Sequence, residues 1–558
     1  MRVFVFILIP FLFISVAVKS QISPNHYLVS FKDKPGSKYS VNKPLEFLSQ
    51  RAIDRRNRYK ILFNETDLPV NQSYVDGLKS LGLKIVNVSK WTNSVSIYTT
   101  DTLLMDTLMK RLDYIASTGI QKKSSGIVQK NMVQKSSVNK YGIQSVDSVI
   151  AQKYGQSFSQ ISMHNGHLLH QEGYQGQGMH VAIIDGGFYK VNELAAFDSI
   201  RINGQILGTR DFVDGDREVY DASDHGMKVL STMAGNIPGQ LLGTAPKAKY
   251  WLLRSEQTAS EFMIEEHNWI VAAEFADSAG VDLINSSLGY TVFDDVKNNH
   301  SYNDLDGNTA LSTIGADIAA SKGILVVNSA GNEGAGNWKY IGAPADADSI
   351  LTVGAVMYDG KLAYFSSQGP TYDQRIKPDV CAIGLSPVVS GTNGIISYAS
   401  GTSFSTPIMA GLVTCLWQAH PELNNMEIIE LVRRCSNQYN LPDNSYGYGL
   451  PDIYAAHIYL KSSGFLNPPA QGIMNVFPNP FKNEFYVEYL CPKLQVPYNM
   501  QMQLFNIQGK LLKTKDFSGL SNNLNLTAFD DIADISSGIY VLRLTSDEVN
   551  LQKKLIKY

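Results

Sequence analysis

The 558-residue sequence contains little cysteine and little charge, and each shortage excludes a class of protein. Four scattered cysteines with no C-x-x-C pair are too few for a disulfide framework or a zinc site. Charged residues make up 18% of the chain and the formal net charge is −3, which excludes a basic nucleic-acid binder and an acidic disordered tail. Apolar residues reach 44%, enough for packed cores. The length predicts about three to four folding units.

The N-terminus carries a mainly apolar run. Arg2 precedes this run over residues 3–18, and small residues with the polar Gln21 follow it. The pattern predicts a secretory signal peptide over residues 1–20, cleaved near Ser20. A membrane anchor is the alternative, but the run is shorter than the about 20 residues that a spanning helix requires. We therefore expect an exported protein, either secreted or held at the cell surface.

Composition and periodicity divide the rest of the chain into four segments. They are a small α+β unit, a linker rich in Lys, Ser, Gln and Asn, a long unit of alternating apolar strands and helices, and a small β-sandwich. Their predicted boundaries are residues 21–120, 121–155, 156–462 and 473–558. The alternation in the long unit predicts an α/β fold, a parallel sheet with helices on both faces. Sites in such sheets lie beyond the carboxyl ends of the strands.

A carboxylate and an imidazole occupy positions in the long unit that suit catalytic groups. Asp185 ends its first predicted strand, directly before Gly186 and Gly187. His225 lies in Asp-His-Gly at the start of a predicted helix, where the helix dipole favours the neutral imidazole that a general base requires. Each position, taken alone, also suits an ordinary turn or helix cap.

A serine, an asparagine and an open strand end extend this set. Ser403 lies in Ser-Gly-Thr-Ser-Phe-Ser-Thr-Pro at the start of an apolar helix, where a hydroxyl and a backbone N–H without a helical partner occur together. Asn332 lies on a Gly-rich turn, from which its amide can donate to an oxyanion. Ser287, Leu288 and Gly289 follow another predicted strand, and such a segment can pair with an extended peptide. A plain Ser cap and a turn Asn are the structural alternatives.

Taken in order, these motifs resemble those of the subtilisin-like (subtilase) serine peptidases. The resemblance covers about residues 160–460 and is most specific around Ser403. The matching motifs are V-A-I-I-D-G-G (181–187), D-H-G (224–226), N-S-S-L-G (285–289), S-A-G-N-E-G (329–334) and S-G-T-S-x-S-x-P (400–407). It implies a subtilisin-like parallel sheet and a serine endopeptidase that acts on protein or peptide substrates.

The same resemblance implies a role for each site residue. Ser403 becomes the nucleophile, His225 the general base and then acid, and Asp185 the group that orients the imidazole. Asn332 and the backbone N–H of Ser403 form the oxyanion hole. Residues 287–289 bind the substrate backbone. No cofactor is required for this chemistry and no nucleic-acid partner is implied.

The flanking segments resemble known domains as well. Residues 21–120, with Tyr-Leu-Val-Ser-Phe and Ser-Lys-Trp, are similar to the pro-region of subtilases, which inhibits the enzyme and is then cut off. The C-terminal segment, with Leu-Phe-Asn-Ile-Gln-Gly-Lys and Ser-Gly-Ile-Tyr-Val-Leu, is similar to the sorting domain of type IX secretion in Gram-negative bacteria. The implied partners are the chain's own pro-region and the outer-membrane secretion machinery. An adhesive or carbohydrate-binding sandwich is the alternative.

Other activities and a metal also enter the comparison. Sedolisin relatives share the serine motif, but they use Glu as base and Asp at the oxyanion, whereas this chain has His225 and Asn332. A catalytically silent secreted binding or adhesion protein is the main alternative, and an esterase or ligase using the same acyl-enzyme is a further one. Six acidic residues between 211 and 224 can offer oxygens to a structural calcium ion, but they fit no EF-hand spacing. We favour a solvated loop and leave calcium unassigned.

Overall fold

The computed structural model describes three ranges, which we call the N-terminal unit (21–118), the central unit (148–463) and the C-terminal unit (473–557). The last range has gaps at 478–480, 483–484, 491–497, 521–524, 530–531, 533 and 547–548. The predicted signal peptide and most of the predicted linker lie outside the described residues. Within the described ranges, no helix is both long and apolar enough to cross a membrane.

The N-terminal unit is an antiparallel sheet with two helices packed on one face. Its strands are β1 (Gln21–Ser23), β2 (His26–Phe31), β3 (Lys84–Ser89), β4 (Ser94–Tyr98) and β5 (Ile115–Thr118). Its helices are α1 (Gln50–Arg58), α2 (Gln72–Ser80) and α3 (Thr102–Arg111). The strand order is β1-β2-β4-β3, with β5 also paired to β2. Val29, Val95, Leu78 and Leu108 are fully buried between this sheet and helices α2 and α3. The predicted α+β unit is confirmed.

The central unit contains a seven-stranded parallel sheet, as predicted. Its strands are β6 (His180–Asp185), β7 (Ile206–Asp211), β8 (Asn236–Ile237), β9 (Leu241–Leu242), β10 (Lys249–Arg254), β11 (Leu283–Ser286), β12 (Leu325–Ser329), β13 (Leu351–Val356), β14 (Val380–Ile383), β15 (Val388–Ser390) and β16 (Ile396–Tyr398). The sheet order is β14-β13-β12-β11-β6-β10-β7. Strands β8 with β9 and β15 with β16 form two small antiparallel pairs. All seven strands of the main sheet therefore end at the same edge.

Helices cover both faces of this sheet. They are α4 (Ser148–Tyr154), α5 (Phe158–Ser162), α6 (Gly166–Gln171), α7 (Asp198–Ile202), α8 (His225–Ala234), α9 (Ile264–Ala279), α10 (Leu311–Ser321), α11 (Thr402–Ala419), α12 (Asn425–Arg434) and α13 (Ile453–Ser463). Val181 and Ile183 of β6 pack with α8 and α11 on one face, and Ala182 and Ile184 pack with α9 and α10 on the other. Because β6 is buried on both faces, its sequence is a continuous apolar run rather than an alternating one.

The predicted linker is too long at its C-terminal end. It was expected to extend to residue 155, but α4 forms over Ser148–Tyr154. The ring of Tyr154 is buried in the core of the central unit, between Phe158 and His170, and its hydroxyl lies 2.9 Å from His170 Nδ1. The buried ring of Tyr154 therefore anchors the end of α4 to the central unit.

The C-terminal unit is a sandwich of two antiparallel sheets, as predicted. Its strands are β17 (Ile473–Phe477), β18 (Phe485–Leu490), β19 (Tyr498–Asn506), β20 (Leu511–Leu520), β21 (Asn525–Phe529), β22 (Gly538–Thr545) and β23 (Asn550–Lys557). The two sheet orders are β17-β18-β21 and β20-β19-β22-β23. Alternate side chains, including Val487, Leu504 and Leu542, meet between the sheets and form a core separate from that of the central unit.

The N-terminal unit lies against α9 and α10 of the central unit through buried charges. Asp277 of α9 accepts hydrogen bonds from Arg55 and Arg56 of α1. Arg56 also binds Asp67 at 2.9 Å, and Asp67 lies 3.1 Å from Lys322 Nζ of the central unit. These five side chains are almost completely removed from water. A buried charge is tolerated only when it is paired. This network of ion pairs therefore requires the two units to be docked in this orientation.

Glu274 of α9 forms a second polar contact with the N-terminal unit. Its carboxylate accepts hydrogen bonds from the backbone N–H groups of Lys90 and Trp91, at 2.9 and 3.0 Å, and from the hydroxyl of Ser89. Ser89 ends β3, and Lys90 and Trp91 form the turn that follows. The carboxylate therefore satisfies backbone donors of the N-terminal unit that the interface would otherwise bury unpaired.

Candidate active site

An aspartate and a histidine meet at the carboxyl edge of the parallel sheet. Asp185 is the last residue of β6 and His225 is the first residue of α8. The Nδ1 atom of His225 lies 2.8 Å from Oδ1 of Asp185, and that oxygen also accepts the N–H of Gly186 at 2.7 Å. Asp185 is fully buried, whereas 35% of the His225 side chain is exposed. One end of the imidazole is thus held by a carboxylate while the other end remains accessible.

Gly226 explains how α8 approaches β6 so closely. A Cβ built on Gly226 would lie 2.4 Å from the carbonyl oxygen of Gly187 and 2.9 Å from Cβ of Asp185. Both distances are shorter than real carbon contacts, and backbone cannot move aside as a flexible side chain can. The glycine after His225 is therefore required for the contact between histidine and aspartate.

The carboxylate of Asp185 sets the proton affinity of His225. Burial lowers the pKa of the imidazole, but the charge and hydrogen bond of Asp185 outweigh it, with a smaller contribution from Asp224. The net effect raises the pKa of His225 above its ordinary value of 6.5. The neutral form that accepts a proton is consequently populated on the alkaline side of that higher value.

Ser403 lies in the first turn of α11, where a proline frees one of its backbone groups. Pro407 has no N–H, so the carbonyl of Ser403, four residues earlier, lacks its helical donor. The hydroxyl of Ser287 donates to that carbonyl instead, at 2.9 Å. The Ser-Gly-Thr-Ser-x-Ser-x-Pro motif thus also ties α11 to the segment after β11.

The hydroxyl of Ser403 faces the same segment. Its Oγ donates to the carbonyl of Ser287 at 3.4 Å, a long hydrogen bond. The ring of His225 packs against Phe404, the next residue, with 5.8 Å between ring centroids. The described residues include no hydrogen bond from Ser403 to His225. Catalytic hydrogen bonds are often long or unformed without substrate, so the missing contact is compatible with a catalytic pair.

Asn332 is fixed by the start of the same helix. Its Oδ1 accepts hydrogen bonds from the backbone N–H of Thr402, at 2.8 Å, and from its hydroxyl, at 3.1 Å. A Cβ built on Gly401 would lie 3.5 Å from Asn332 Oδ1 and 3.6 Å from both Asn332 Nδ2 and Ser403 N. The side-chain amide of Asn332 and the backbone N–H of Ser403 are therefore close together beside Gly401.

Ser287, Leu288 and Gly289 form the segment that leaves β11 beside Ser403. The carbonyl of Leu288 accepts hydrogen bonds from Asn328 Nδ2 and Ser329 Oγ, both at 3.2 Å. Ser287 is buried, while Gly289 is exposed and has no side chain to block an approaching backbone. The segment is therefore hydrogen-bonded to β12 on one side, while Gly289 remains accessible to a peptide.

Two sets of acidic side chains near this edge are relevant to the calcium ion considered from the sequence. In the predicted acidic loop, Asp211 and Asp214 both contact Nη1 of Arg254 at 2.6 Å. A separate cluster is formed by three glutamates, whose oxygens lie within 4.8 Å of one another: Glu256, Glu261 and Glu265. Burial raises their pKa values to about 7, 8 and 9 respectively. Protonation near neutral pH lets these carboxyls share a buried space, and calcium stays unassigned.

The structure places the site residues expected from the motifs in two groups, linked by the ring contact of His225 with Phe404, and it adds supporting residues. Asp185 contacts His225, Ser403 contacts Ser287, and Asn332 contacts the residue before Ser403. Sequence reasoning did not anticipate Thr402, which orients Asn332, or Phe404, which packs on the imidazole. Both lie within the Ser403 motif, so their place in that motif was the sequence signal that could have identified them.

The site combines a buried aspartate, a partly exposed histidine and a serine in the first turn of a helix, all at the edge of a parallel sheet. This combination is typical of a serine hydrolase with an α/β fold. Comparisons with known proteins identify the families that its segments match. The Subtilase family matches residues 176–449, the Peptidase S8 propeptide domain of Bacteroidota matches 26–140, and the Secretion system C-terminal sorting domain matches 475–558.

Individual relatives agree with this family assignment. Subtilisin E of Bacillus subtilis (strain 168) is 33% identical over 315 residues, which cover 55% of this chain and 73% of that protein. Subtilisin of Bacillus pumilus is 32% identical over 293 residues, or 52% of this chain and 94% of that protein. The crystal structure of the epidermin leader peptide processing serine protease (EpiP) of Staphylococcus aureus shares the fold, with a TM-score of 0.50, 18% identity and coverage of 77% and 97%.

The chain belongs to the subtilase family of serine endopeptidases. It carries a propeptide domain at its N-terminal side and a type IX sorting domain at its C-terminal side. The propeptide match extends to residue 140, into the predicted linker. The sorting domain indicates export, to the medium or to the cell surface.

Proposed function

We propose that the chain is a secreted endopeptidase that cleaves peptide bonds with Ser403, His225 and Asp185 through an acyl-enzyme. The observation that carries this proposal is the 2.8 Å contact between His225 Nδ1 and the fully buried Asp185. It leaves Nε2 as the free end of the imidazole, next to the turn that presents Ser403. Nδ1 then carries the proton shared with the carboxylate, and Nε2 is the base.

The groups at the site suit each step of acyl transfer. His225 takes the proton of the Ser403 hydroxyl as Oγ attacks the substrate carbonyl carbon, and Asp185 stabilises the imidazolium. The carbonyl oxygen becomes an oxyanion, which Asn332 Nδ2 and the N–H of Ser403 stabilise. The C–N bond then breaks, and His225 gives its proton to the leaving amine. Water repeats the sequence on the acyl-enzyme, releases the second product and restores the Ser403 hydroxyl.

Ser287, Leu288 and Gly289 are proposed to align the substrate. An extended peptide placed beside Gly289 can form backbone hydrogen bonds without displacing a side chain. Because Ser287 is bonded to both the hydroxyl and the carbonyl of Ser403, this segment and the nucleophile keep a fixed spacing. A peptide aligned on this segment would have its scissile carbonyl near the hydroxyl, which is the proximity that attack by Ser403 requires.

Labelling of Ser403 by a fluorophosphonate probe tests the proposal. The probe forms a covalent bond only with a serine activated by a base. We expect stoichiometric labelling of the processed enzyme, and none of Ser403→Ala or of denatured enzyme. The main alternative is a catalytically silent secreted binding or adhesion protein with the same fold. A folded chain that stays unlabelled and leaves peptide substrates intact would establish that alternative.

The N-terminal unit is proposed to act as an inhibitor that the enzyme removes by cutting its own chain. The buried ion pairs of Asp277 with Arg55 and Arg56 support a tight association before removal. Comparing secreted wild type with Ser403→Ala by gel and N-terminal sequencing tests the origin of the cut. The wild type should lose the N-terminal unit and the variant should keep it. Equal trimming of both proteins would assign the cut to another protease.

A further inference from the structure

The imidazole of His225 has a second neighbour besides Asp185. Its Nδ1 atom is fixed by the 2.8 Å contact with Asp185, and the ring of Phe404 lies beside it with 5.8 Å between centroids and 48° between ring planes. One hydrogen bond fixes one ring nitrogen but leaves the imidazole free to tilt about that contact. Because 35% of the His225 side chain is exposed, water borders it on the open side and does not restrict the tilt. Phe404 therefore limits the tilt from its own side.

Phe404 is itself held in place by its backbone and by its burial. Its N–H donates to the carbonyl of Gly401 at 3.1 Å, in the first turn of α11. Its side chain is only 4% exposed and belongs to the main core of the central unit, which includes residues of α8 and α11. A buried ring in a close-packed core has little room to move. Phe404 thus offers His225 a fixed surface, one residue after the proposed nucleophile.

The starts of two helices adjoin His225. It is the first residue of α8, and Phe404, which contacts it, lies in the first turn of α11. The start of a helix carries partial positive charge and disfavours a nearby cation. The imidazolium that forms when His225 takes up a proton therefore requires compensation from neighbouring groups.

Carboxylates supply most of this compensation, and Phe404 is the contact that α11 contributes. Among the ionised side chains that act on the imidazole, Asp185 and Asp224 favour its protonated form and Lys228 disfavours it. The sequence of α11 contains no charged residue. An aromatic ring attracts a cation that lies over its face within about 6 Å of the ring centroid. The 5.8 Å between the two centroids is within this range, so the ring of Phe404 can favour the imidazolium.

We propose that Phe404 is a positioning residue, whose ring holds the imidazole of His225 in the orientation from which Nε2 takes the proton of Ser403. It acts through His225 and not on the substrate. Because Phe404 directly follows Ser403 in α11, the surface that limits the imidazole moves together with the nucleophile and keeps base and hydroxyl in step. The inference rests on the proposed triad, since this orientation matters only if His225 is the base.

Kinetics of the processed enzyme give the first test. Phe404→Leu keeps an apolar side chain but removes the ring, and kcat should fall by about ten to a hundredfold while KM stays nearly constant. Phe404→Tyr keeps the ring and should retain most of the activity. The control is Phe197→Leu, because Phe197 is fully buried in the same core but ends a short 3₁₀ helix that packs against β8, beyond the other end of α8. Thermal unfolding of each variant reports on folding.

NMR titration of His225 gives a second test that needs no activity. It uses the full-length Ser403→Ala chain with labelled histidine, assigned with His225→Gln. Adding Phe404→Leu should lower the pKa of His225, because the imidazolium loses the ring and its contact with Asp185 loosens. Burial lowers this pKa, so a rise would show that Phe404 only excludes water.

The inference is overturned by such a rise, by an unchanged pKa or kcat in Phe404→Leu, or by equal losses in Phe404→Leu and Phe404→Tyr. Fluorophosphonate labelling separates this failure from failure of the proposed function. If wild type and Phe404→Leu are labelled at the same rate, only the role of Phe404 is wrong. If folded wild type is not labelled at all, the proposed function fails and the role of Phe404 fails with it.

Discussion

Asp185 and Asp277 are both aspartates with no exposed surface, but their partners differ. Asp277 accepts hydrogen bonds from two buried guanidinium groups, which more than neutralise it. These arginines hold the pKa of Asp277 below its usual range despite the burial. Asp185 contacts one half-exposed imidazole and the N–H of Gly186, and its Oδ2 atom is buried without a hydrogen-bond partner.

The contrast separates a carboxylate that holds two units together from the one that we propose for catalysis. A fully paired ion has nothing to gain from a new charge nearby. Asp185 instead becomes better compensated when His225 takes up a proton, which is the charge that develops during attack by serine. Of these two aspartates, the incompletely paired one lies at the candidate active site and the completely paired one lies at the interface between the two units.

Replacing each aspartate by asparagine tests this contrast most strongly. Asp185→Asn removes the acceptor that fixes the tautomer of His225, and kcat should fall by about 10⁴. Asp277→Asn should leave kcat of the processed enzyme unchanged, because Asp277 lies on α9 beneath the N-terminal unit and away from the strand ends. Steady-state kinetics on one peptide substrate compares the two. Similar kcat losses in both variants would contradict the distinction.

Asn332→Ala should have the next largest effect, confined to the transition state. Loss of one oxyanion donor lowers kcat by about 10² to 10³ while KM stays nearly constant. Thr402→Ser keeps the backbone N–H and a hydroxyl for Asn332 Oδ1, so it serves as the matched control with little loss. A rise in KM with normal kcat in Asn332→Ala would instead make Asn332 a substrate-binding residue.

The role of Asp277 in holding the N-terminal unit can be tested in the uncut Ser403→Ala chain. Asp277→Asn leaves Arg55 buried without its ion-pair partner and Arg56 with Asp67 alone, and removal of one partner of a buried pair costs about 3–5 kcal/mol. Hydrogen exchange of the α1 amides should accelerate by about 10² to 10³ if opening of the interface controls it.

Asp359→Asn is the control for this experiment, because Asp359 forms an exposed pair with Lys361. Its loss should leave exchange in α1 unchanged. Unaltered exchange in Asp277→Asn would show that the buried ions do not hold the N-terminal unit.

The smallest expected effects concern the acid side of the pH profile. Because the pKa of His225 is raised above 6.5, kcat/KM should fall as pH drops through that higher value. The Asp224 charge raises this pKa and the Lys228 charge lowers it. Asp224→Asn should therefore move the acid limb to lower pH, and Lys228→Gln to higher pH. Shifts of the same sign in both variants, measured at low ionic strength, would exclude a direct charge effect.

Sequence patterns predicted the strongly apolar elements of the fold and failed at the weak ones. The run Val-Ala-Ile-Ile predicted β6, and the helical period before Gly280 predicted α9. The edge strand β7 carries Gly208 and three polar residues and is only partly buried, so no apolar pattern marks it. Helix α4 escaped prediction because it follows a polar segment and the burial of Tyr154 in the central unit shows only in the folded structure.

The candidate active site shows the same division between features that sequence patterns predicted and features that they missed. The motifs supplied Asp185, His225, Asn332 and Ser403 as candidates, since each lies at a strand end or helix start. They did not supply the pairing of Ser287 with both the hydroxyl and the carbonyl of Ser403, 116 residues away. Pro407 indicated that a carbonyl lacked its donor, but only the packed structure identified the hydroxyl that replaces it.

The amino-acid sequence by itself determined the family, the three folded units and the chemical groups at the active site, because these follow from local residue types and their order. The tertiary structure decided which buried carboxylate is fully paired and where the N-terminal unit is held. Such properties depend on distance and burial, and folding alone brings residues far apart in sequence into contact and removes their charges from water.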